Sequence, residues 1–333
     1  MIWTTWRQHR TEAGIATLVM ALVGIFLVIT GIQMRAASQV FLDPKVQQAA
    51  ALNQFGGRFL SLGMLTKYLL MVLPGILGVF VGAPLLAREM EQRTHLVAWA
   101  QSITRKRWFI TKIVLLSIGT LLGAAALSVL AGWWHSPLDQ LFSAGRWIFF
   151  DAIGLVPLAY ALFGLALGVT VGTLIRRTVP AMAVTMLVFA VVRTASSLLR
   201  PWYVPPVVKD VPLGQTFPSG ALEINLQWVD AAKHPVTDER ITQLLQQAFP
   251  DQASQASQFS AGPGPVVGQA TSVSPTQVAQ MDQYLHAHGF RYLAVFQPDD
   301  RFWSFQLIEA GIFFALAMML FVLSAWWLQD RIR

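Results

Sequence analysis

The sequence contains no cysteine and few charged residues. Of its 333 residues, 12% are charged and 55% are hydrophobic, whereas a soluble domain carries about 25% charged residues. Without cysteine, neither a disulfide framework nor thiolate chemistry is available to this chain. The shortage of charge argues against water as its main solvent.

Motifs for nucleotide, metal and proteolytic chemistry are also missing. No Gly-Lys pair occurs, so the P-loop G-x-x-x-x-G-K-[ST] is excluded, and there is no H-E-x-x-H. His286 and His288 are two residues apart, and on a helix such a pair points to different sides. We interpret them as surface histidines rather than metal ligands. We therefore expect no enzyme, no cofactor and no metal in this chain, so ATP chemistry must come from another chain.

The sequence does contain long apolar runs. A membrane-crossing helix takes about 20 mostly apolar residues. Because the first run exceeds the h-region of a signal peptide, about 7–15 residues, we interpret it as a span rather than a cleaved leader. The pattern predicts an all-α polytopic membrane protein with six transmembrane helices, near 14–33, 64–87, 109–132, 147–174, 179–198 and 307–327.

Lys and Arg are distributed unevenly among the connections. Short cytoplasmic loops retain these residues. With the N-terminus inside, the inner segments hold twelve basic and four acidic residues, a net charge of +8, and the other side has about −1. The overall charge of +7 then reflects the orientation of the chain in the membrane and does not indicate a nucleic-acid binding surface. We expect both termini in the cytoplasm, a location in the cell membrane, lipid contacts and no nucleic-acid partner.

The connection between the last two runs, about 199–304, is too long for a structureless loop. Its "ALEINLQWVDA" alternates like a strand, and "TDERITQLLQQAF" and "SPTQVAQMDQYLHAHG" are typical of helices, with Gly289 as a C-terminal cap. The stretch "SQASQFSAGPGPVVGQATS" has the composition of a linker. We predict a small α+β extracytoplasmic insertion at 199–304, preceded by helices 1 to 5 in 1–198 and followed by helix 6 and a tail in 305–333.

Four ionisable residues fall within the predicted spans: Lys67, Asp151, Arg193 and Glu309. All lie towards the outer ends, where Lys and Arg side chains can extend to the interface. Asp151 and Glu309 cost more free energy to place within a membrane, because their short side chains do not reach the interface well. We expect each carboxylate to face protein or a wet cavity, as a structural anchor or as part of a transport path.

Glycines recur on one face of the fourth run. Gly164, Gly168 and Gly172 are four residues apart, and small residues at this spacing let helices approach closely in lipid. We expect ordinary helix packing here, or alternatively a surface that lines a transport path.

The inner loop 88–108 combines many charges with an apolar face. "LLAREMEQR" extends the second run, with Glu89 and Arg93 at the favourable i, i+4 spacing. "THLVAWA" places Leu96 and Trp99 on one side of a short helix, which is more than lipid anchoring requires. This face suggests that a protein docks on the loop.

In this loop the sequence resembles the permease subunits of ABC exporters, in the class that includes O-antigen, drug and antibiotic exporters. Those permeases commonly show R-E-x-E-x-G-T-x-x-x-L, then P-v-s-R and a Lys. The N-terminal "MIWTTWRQHR" resembles their elbow helix, and "PDDRFWSFQLIEAGIF" is similar to a stretch in permeases that share the "TWRQ" start. Arg93 replaces the usual Gly and the Pro is absent, but the other positions occur in matching order: Arg88, Glu89, Glu91, Thr94, Arg105 and Lys112.

The resemblance implies a permease subunit of an ATP-driven exporter for an apolar or amphipathic cargo, such as an antibiotic, drug, peptide or lipid. Two permeases, expected to be identical, would work with cytoplasmic ABC ATPase subunits that hold ATP and Mg. An alternative is a membrane-anchored sensor or assembly protein whose outer domain binds a ligand without transport. In the exporter reading, the ATPase contacts on the coupling loop are Glu89, Glu91, Arg93, Thr94, Leu96 and Trp99.

Overall fold

The computed structural model describes residues 2–39, 49–92, 104–142, 146–213, 220–250 and 275–330. Six of its helices are long and apolar enough to cross a membrane, and we call them spans 1 to 6. Five of the six predicted runs lie within them, and the fourth, predicted at 147–174, overlaps span 4 but starts before it. Their bounds are Gly14–Gln39, Gly57–Arg88, Arg107–Asp139, Val156–Ile175, Thr178–Trp202 and Asp299–Gln329.

Span 1 belongs to one continuous helix, α1, at Ile2–Gln39. The helix also includes the N-terminal segment that resembles an elbow helix, so the backbone has no break between that segment and the span.

Span 2 is built from three helical pieces. Helix α2 covers Ala49–Leu77, a π-helical turn covers Gly78–Gly82, and α3 covers Ala83–Glu91. Pro74 lies inside α2 and Pro84 lies in the first turn of α3. A proline removes one backbone hydrogen bond from a helix interior, and the wider π turn lies between these two positions.

The remaining spans follow in order. Span 3 lies in α4, Arg105–Phe142, and a 3₁₀ turn at Arg146–Phe149 precedes α5, Val156–Ile175, which forms span 4. Span 4 thus begins later than predicted, because residues 146–155 form this turn and a loop. Span 5 contains α6, Thr178–Leu199, and the predicted tight turn before it places Arg176 in the left-handed region at φ 58°.

Span 4 lies at the centre of the bundle. Most of its residues are buried, and it packs against spans 2, 3, 5 and 6. The other spans leave large apolar side chains exposed, for example Leu122 in span 3 and Leu187 in span 5. This distribution is expected for a bundle surrounded by lipid, which is as apolar as those side chains.

A small α+β unit lies between spans 5 and 6 in the sequence. Its elements are β1 Val207–Asp210, β2 Leu222–Val229, β3 Pro235–Val236, α7 Asp238–Ala248, α8 Pro275–Ala287 and β4 Arg291–Gln297. The four strands form an antiparallel sheet in the order β1-β4-β2-β3. The strand predicted from the sequence corresponds to β2, and the two predicted helices correspond to α7 and α8.

The α+β unit has a hydrophobic core of its own. Tyr292, Ala294 and Phe296 alternate along β4 and are buried, so they share one face of the sheet. Ile241 of α7 and Leu285 of α8 belong to the same cluster. Two layers, sheet and helices, therefore enclose this core.

Helix α9, Phe302–Asp330, follows the α+β unit and contains most of span 6.

Candidate functional site

Four charged side chains meet where spans 5 and 6 and the turn before span 4 converge. Asp151, Arg193, Arg200 and Glu309 are all buried, with Glu309 fully inaccessible to solvent. We call these four residues the ionic cluster. They lie at the end of the bundle that adjoins the α+β unit, since Gln297 of β4 hydrogen-bonds the carbonyl of Pro201, next to Arg200.

Arg200 bridges both carboxylates of the ionic cluster. Its Nη2 lies 2.5 Å from Oδ1 of Asp151, and its Nε lies 2.7 Å from Oε2 of Glu309. Nη2 also donates to Oε1 of Glu309 at 3.1 Å. Charge-assisted bonds of this kind are stronger than neutral ones and fix the relative orientation of the groups.

Arg193 makes looser ion pairs with the same two carboxylates. Its Nη2 lies 3.2 Å from Oδ1 of Asp151 and its Nη1 lies 3.6 Å from Oε1 of Glu309. Within the described contacts, its guanidinium donates no hydrogen bond. It lies instead over the ring of Tyr160, 3.7 Å from the centroid, in a cation–π contact.

Hydroxyl groups complete the surroundings of Glu309. Tyr160 Oη and Ser196 Oγ each donate to Oε1 of Glu309 at 2.5 Å. The buried carboxylate therefore has hydrogen bonds as well as ion pairs, as a charge removed from water requires.

The two signs of charge come from different parts of the chain. Both arginines belong to span 5, seven residues apart and so on one helical face, whereas Glu309 belongs to span 6 and Asp151 to the turn before span 4. The cluster is balanced, with two positive and two negative groups. Removing one partner of a buried pair costs roughly 3–5 kcal/mol, because the other charge stays buried without compensation. The ionic cluster therefore ties span 5 to its neighbours.

Gln306 positions the turn that carries Asp151. Its Oε1 accepts hydrogen bonds from the backbone N–H groups of Leu155 and Val156, both at 3.0 Å. Its Nε2 donates to the carbonyls of Phe150 and Ile153, at 2.9 and 3.1 Å. One amide side chain from span 6 thus satisfies four backbone groups in the turn that precedes span 4.

The glycine stripe of span 4 packs against span 2. A Cβ on Gly168 would lie 2.7 Å from the backbone nitrogen of Ala83, and one on Gly172 would lie 2.5 Å from the carbonyl oxygen of Ala83. On the facing helix, a Cβ on Gly82 would lie 2.7 Å from the carbonyl oxygen of Leu165. Here the backbones of two spans are in direct contact, as small residues permit.

A family model described as ABC-2 membrane transporter related matches residues 17–200, more than half of the chain. The chain belongs to this family. No curated protein and no solved structure matches it. With its six apolar helices, the chain is an ABC-2 type permease, a multi-pass membrane subunit of an ABC transporter. Membership also implies association with an ABC ATPase.

At the start of its predicted coupling loop, the ABC-2 permease has a contact between Glu91 and span 5. Glu91, at the end of α3, accepts hydrogen bonds from the hydroxyl of Thr178 at 2.7 Å and from its backbone N–H at 3.1 Å. The hydroxyl bond, with the backbone bond second, lowers the pKa of Glu91 below its usual 4.5. Because Thr178 begins α6, the carboxylate also lies at the positive end of that helix.

Several residues predicted for the coupling loop have no described surroundings. Arg93, Thr94, Leu96 and Trp99 lie outside the described residues, as does the side chain of Glu89. Their part in ATPase coupling stays a prediction. Glu91 is described, and it connects the end of span 2 to the start of span 5.

The residues predicted for a transport path are brought together in part. Asp151 and Glu309 face protein, as expected, and share Arg193, another of the four predicted intramembrane charges. Lys67 lies 5.9 Å from the ring centroid of Tyr68, outside the ionic cluster. A role in lining a transport path stays a prediction for Asp151, Glu309 and the glycines of span 4.

The sequence contained signals for Ser196, Arg200 and Gln306, which were not predicted. Ser196 and Arg200 follow the predicted Arg193 by three and seven residues, on one face of span 5. Gln306 precedes Glu309 by three residues on span 6. Polar residues at helical spacing inside an apolar run predict one shared polar face, and this rule identifies both sets.

Proposed function

We propose that this permease is the membrane subunit of an ATP-driven exporter that moves an apolar or amphipathic cargo, such as an antibiotic, drug, peptide or lipid. The observation that carries this proposal is the family match over residues 17–200, which cover spans 2 to 4 and all but a few terminal residues of spans 1 and 5. The apolar interior of the bundle suits such a cargo better than an ion or a sugar.

The proposed orientation places both termini and loop 88–108 in the cytoplasm and the α+β unit outside. It rests on the net charge of +8 in the inner segments, because cytoplasmic loops retain Lys and Arg. On this orientation the ionic cluster ties spans together at the outer end of the bundle. The Glu91–Thr178 contact ties spans 2 and 5 together at the inner end.

In this mechanism two copies of the permease associate with two cytoplasmic ATPase subunits. ATP and Mg bind to the ATPase subunits, since this chain contains no P-loop, and the permease itself catalyses no reaction. Closure of the ATPase pair moves loop 88–108. The contact between Glu91 and Thr178 then conveys that motion from span 2 to span 5 and shifts an inward/outward equilibrium.

A test of the function uses the permease purified from its native membranes with its P-loop ATPase. The two are reconstituted into vesicles, and ATP-dependent accumulation of amphipathic dyes and lipids is measured. We expect accumulation that requires ATP and both subunits. A permease that purifies without any ATPase, and whose α+β unit binds a ligand, would favour the sensor or assembly protein instead.

The coupling loop is tested in the same vesicles. Trp is a favoured anchor in interfaces, and its replacement by alanine commonly costs about 2 kcal/mol or more of binding. Trp99→Ala should therefore reduce ATPase association while the permease stays inserted, and Glu91→Ala, which removes a carboxylate predicted to contact the ATPase, should do the same. Lys106→Ala, in the basic stretch that follows the apolar face of the loop, serves as the control. Full association and export in both loop variants would contradict the docking role.

A further inference from the structure

A groove lies on the surface of the bundle between span 3, the turn before span 4 and the start of span 6. Its volume is about 470 Å³, within the range of roughly 300–1,000 Å³ that is usual for ligand sites. The walls are mostly apolar and include Ala125, Val129, Gly132, Ile153, Leu155 and Leu158.

The groove opens sideways to the lipid. Ala125, Val129 and Gly132 belong to span 3 and Leu158 to span 4, so these lining residues are all on membrane-spanning helices. Val129 is 76% exposed and Leu155 is 40% exposed. A groove of this kind in a membrane is filled by hydrocarbon, because water has no polar partners there.

One end of the groove carries a polar rim. Arg146 lines the groove and pairs with Asp299, and both side chains are about one-third exposed, at 34% and 38%. The guanidinium uses Nε and Nη2 for Asp299, so within the described contacts Nη1 is available to another acceptor. Trp303, 52% exposed, adjoins the same end, and amphipathic aromatic rings favour the headgroup level of a bilayer.

One hydrogen bond and two glycines shape the groove. Ser128 Oγ donates to the carbonyl of Gly154 at 2.9 Å, which holds the loop before span 4 against span 3. Gly154 has φ +80°, a conformation that favours glycine. A Cβ on Gly132 would come no closer than 4.0 Å, from Cγ2 of Ile153, so a larger side chain there would extend into open space.

We propose that this groove binds one acyl chain of a phospholipid with an ethanolamine headgroup. The phosphate contacts Nη1 of Arg146, and the ammonium group contacts the carboxylate of Asp299. The rim has one positive and one negative side chain, so it complements a zwitterionic headgroup better than an anionic one. A primary ammonium donates hydrogen bonds to a carboxylate, whereas the methyl groups of choline do not. The proposal holds whatever cargo the permease moves.

The test is native mass spectrometry of the full-length permease in detergent, titrated with dioleoyl-phosphatidylethanolamine. Parallel titrations use dioleoyl-phosphatidylglycerol and the soluble headgroup glycerophosphoethanolamine. Gly132→Val fills the groove and Ala125→Leu fills it from a second position. Gly119→Val is the matched control, since Gly119 lies on the same helix with nothing within 4 Å of its Cβ position.

We expect the ethanolamine lipid to bind at one saturable site, and to bind roughly tenfold more weakly after either groove-filling substitution but not after Gly119→Val. Arg146→Gln should weaken binding by roughly tenfold, the size expected for losing a hydrogen bond to a charged group. Lys209→Gln, which removes a charge from exposed strand β1, should leave binding unchanged.

Equal retention of the lipid by the Gly132→Val, Ala125→Leu and Gly119→Val variants would overturn the site. Equal affinity for the glycerol lipid, or binding of the soluble headgroup as tight as that of the whole lipid, would overturn the proposed recognition. Because the measurement involves neither ATP nor transport, its failure is distinguishable from failure of the exporter function.

Discussion

Glu309 is a charged residue whose side chain is removed from water. It has no exposed surface and interacts with two arginines and two hydroxyl groups. Glu309→Ala should lower the free energy of unfolding by roughly 3–5 kcal/mol, because both guanidinium groups then share one carboxylate in a buried site. Thermal unfolding of the detergent-solubilised protein measures this loss.

The matched control is Glu223→Ala, which removes an exposed carboxylate from strand β2 and should change stability little. The double variant Arg200→Met/Glu309→Met restores the charge balance, so its cost should be smaller than the sum of the two single costs. If Glu309→Ala unfolds at the same temperature as Glu223→Ala, the ionic cluster does not hold the spans together.

Glu91 provides a pH-dependent contact at the opposite end of the bundle. Its pKa is lowered from 4.5 by the hydrogen bonds from Thr178. A carboxylate with a depressed pKa stabilises the fold above its unfolded pKa, and this stability is lost as pH falls through the folded pKa. The stability difference between the wild-type protein and Glu91→Gln should therefore be present at neutral pH, decrease as pH falls below 4.5 and vanish below the lowered pKa of the folded state. The measurement is thermal unfolding between pH 3.5 and 7, with Glu223→Gln as the control, and a difference that is constant over this range would contradict the assignment.

At the scale of elements, the glycine interface between spans 2 and 4 gives a prediction with internal controls. Gly168→Ala places a methyl group 2.7 Å from the backbone nitrogen of Ala83, so the helices must separate. Overpacking of this kind typically costs about 1–3 kcal/mol. Gly119→Ala and Gly311→Ala meet nothing within 4 Å, and alanine favours a helix over glycine by about 1 kcal/mol, so these controls should be neutral or more stable. Equal unfolding temperatures for all three variants would show that the contact tolerates extra volume.

Helices and their order were predictable because long apolar runs have few alternatives in a chain of this composition. All six spans were predicted, as were strand β2 and helices α7 and α8, which carry alternation and capping signals. Strand β4 was not predicted although "RYLAVFQ" alternates, because its seven residues lie close to the much longer apolar run of span 6.

The contacts between elements were less predictable. Asp151, Arg193 and Glu309 could be identified singly because each is costly in a membrane, but their meeting point depends on how three spans pack. The start of span 4 was placed too early because residues 147–155 are apolar enough to continue the run. The segment is instead held as a turn by hydrogen bonds from Gln306, a residue distant in sequence.

At the scale of the whole molecule, the two ends of the bundle differ in charge and in the elements that they carry. The end near the α+β unit contains the ionic cluster, and the opposite end contains the Glu91–Thr178 contact and the basic segments around Arg105 and Arg177. A permease driven by a cytoplasmic ATPase needs the second end to face the cytoplasm. The orientation is therefore a condition of the proposed function.

Cysteine labelling tests that orientation in a chain that has no native cysteine. Gln92→Cys, at the exposed end of α3, and Ala232→Cys, in the exposed turn before β3, each introduce one thiol at a described surface position. Because the basic segments are retained in the cytoplasm, a membrane-impermeant maleimide should label Ala232→Cys in intact cells and leave Gln92→Cys unlabelled. After solubilisation in sodium dodecyl sulfate both should react, which controls for the reactivity of each thiol. Labelling of Gln92→Cys alone in intact cells would place the coupling loop outside, where no ATP-driven subunit can reach it, and would exclude the proposed exporter mechanism.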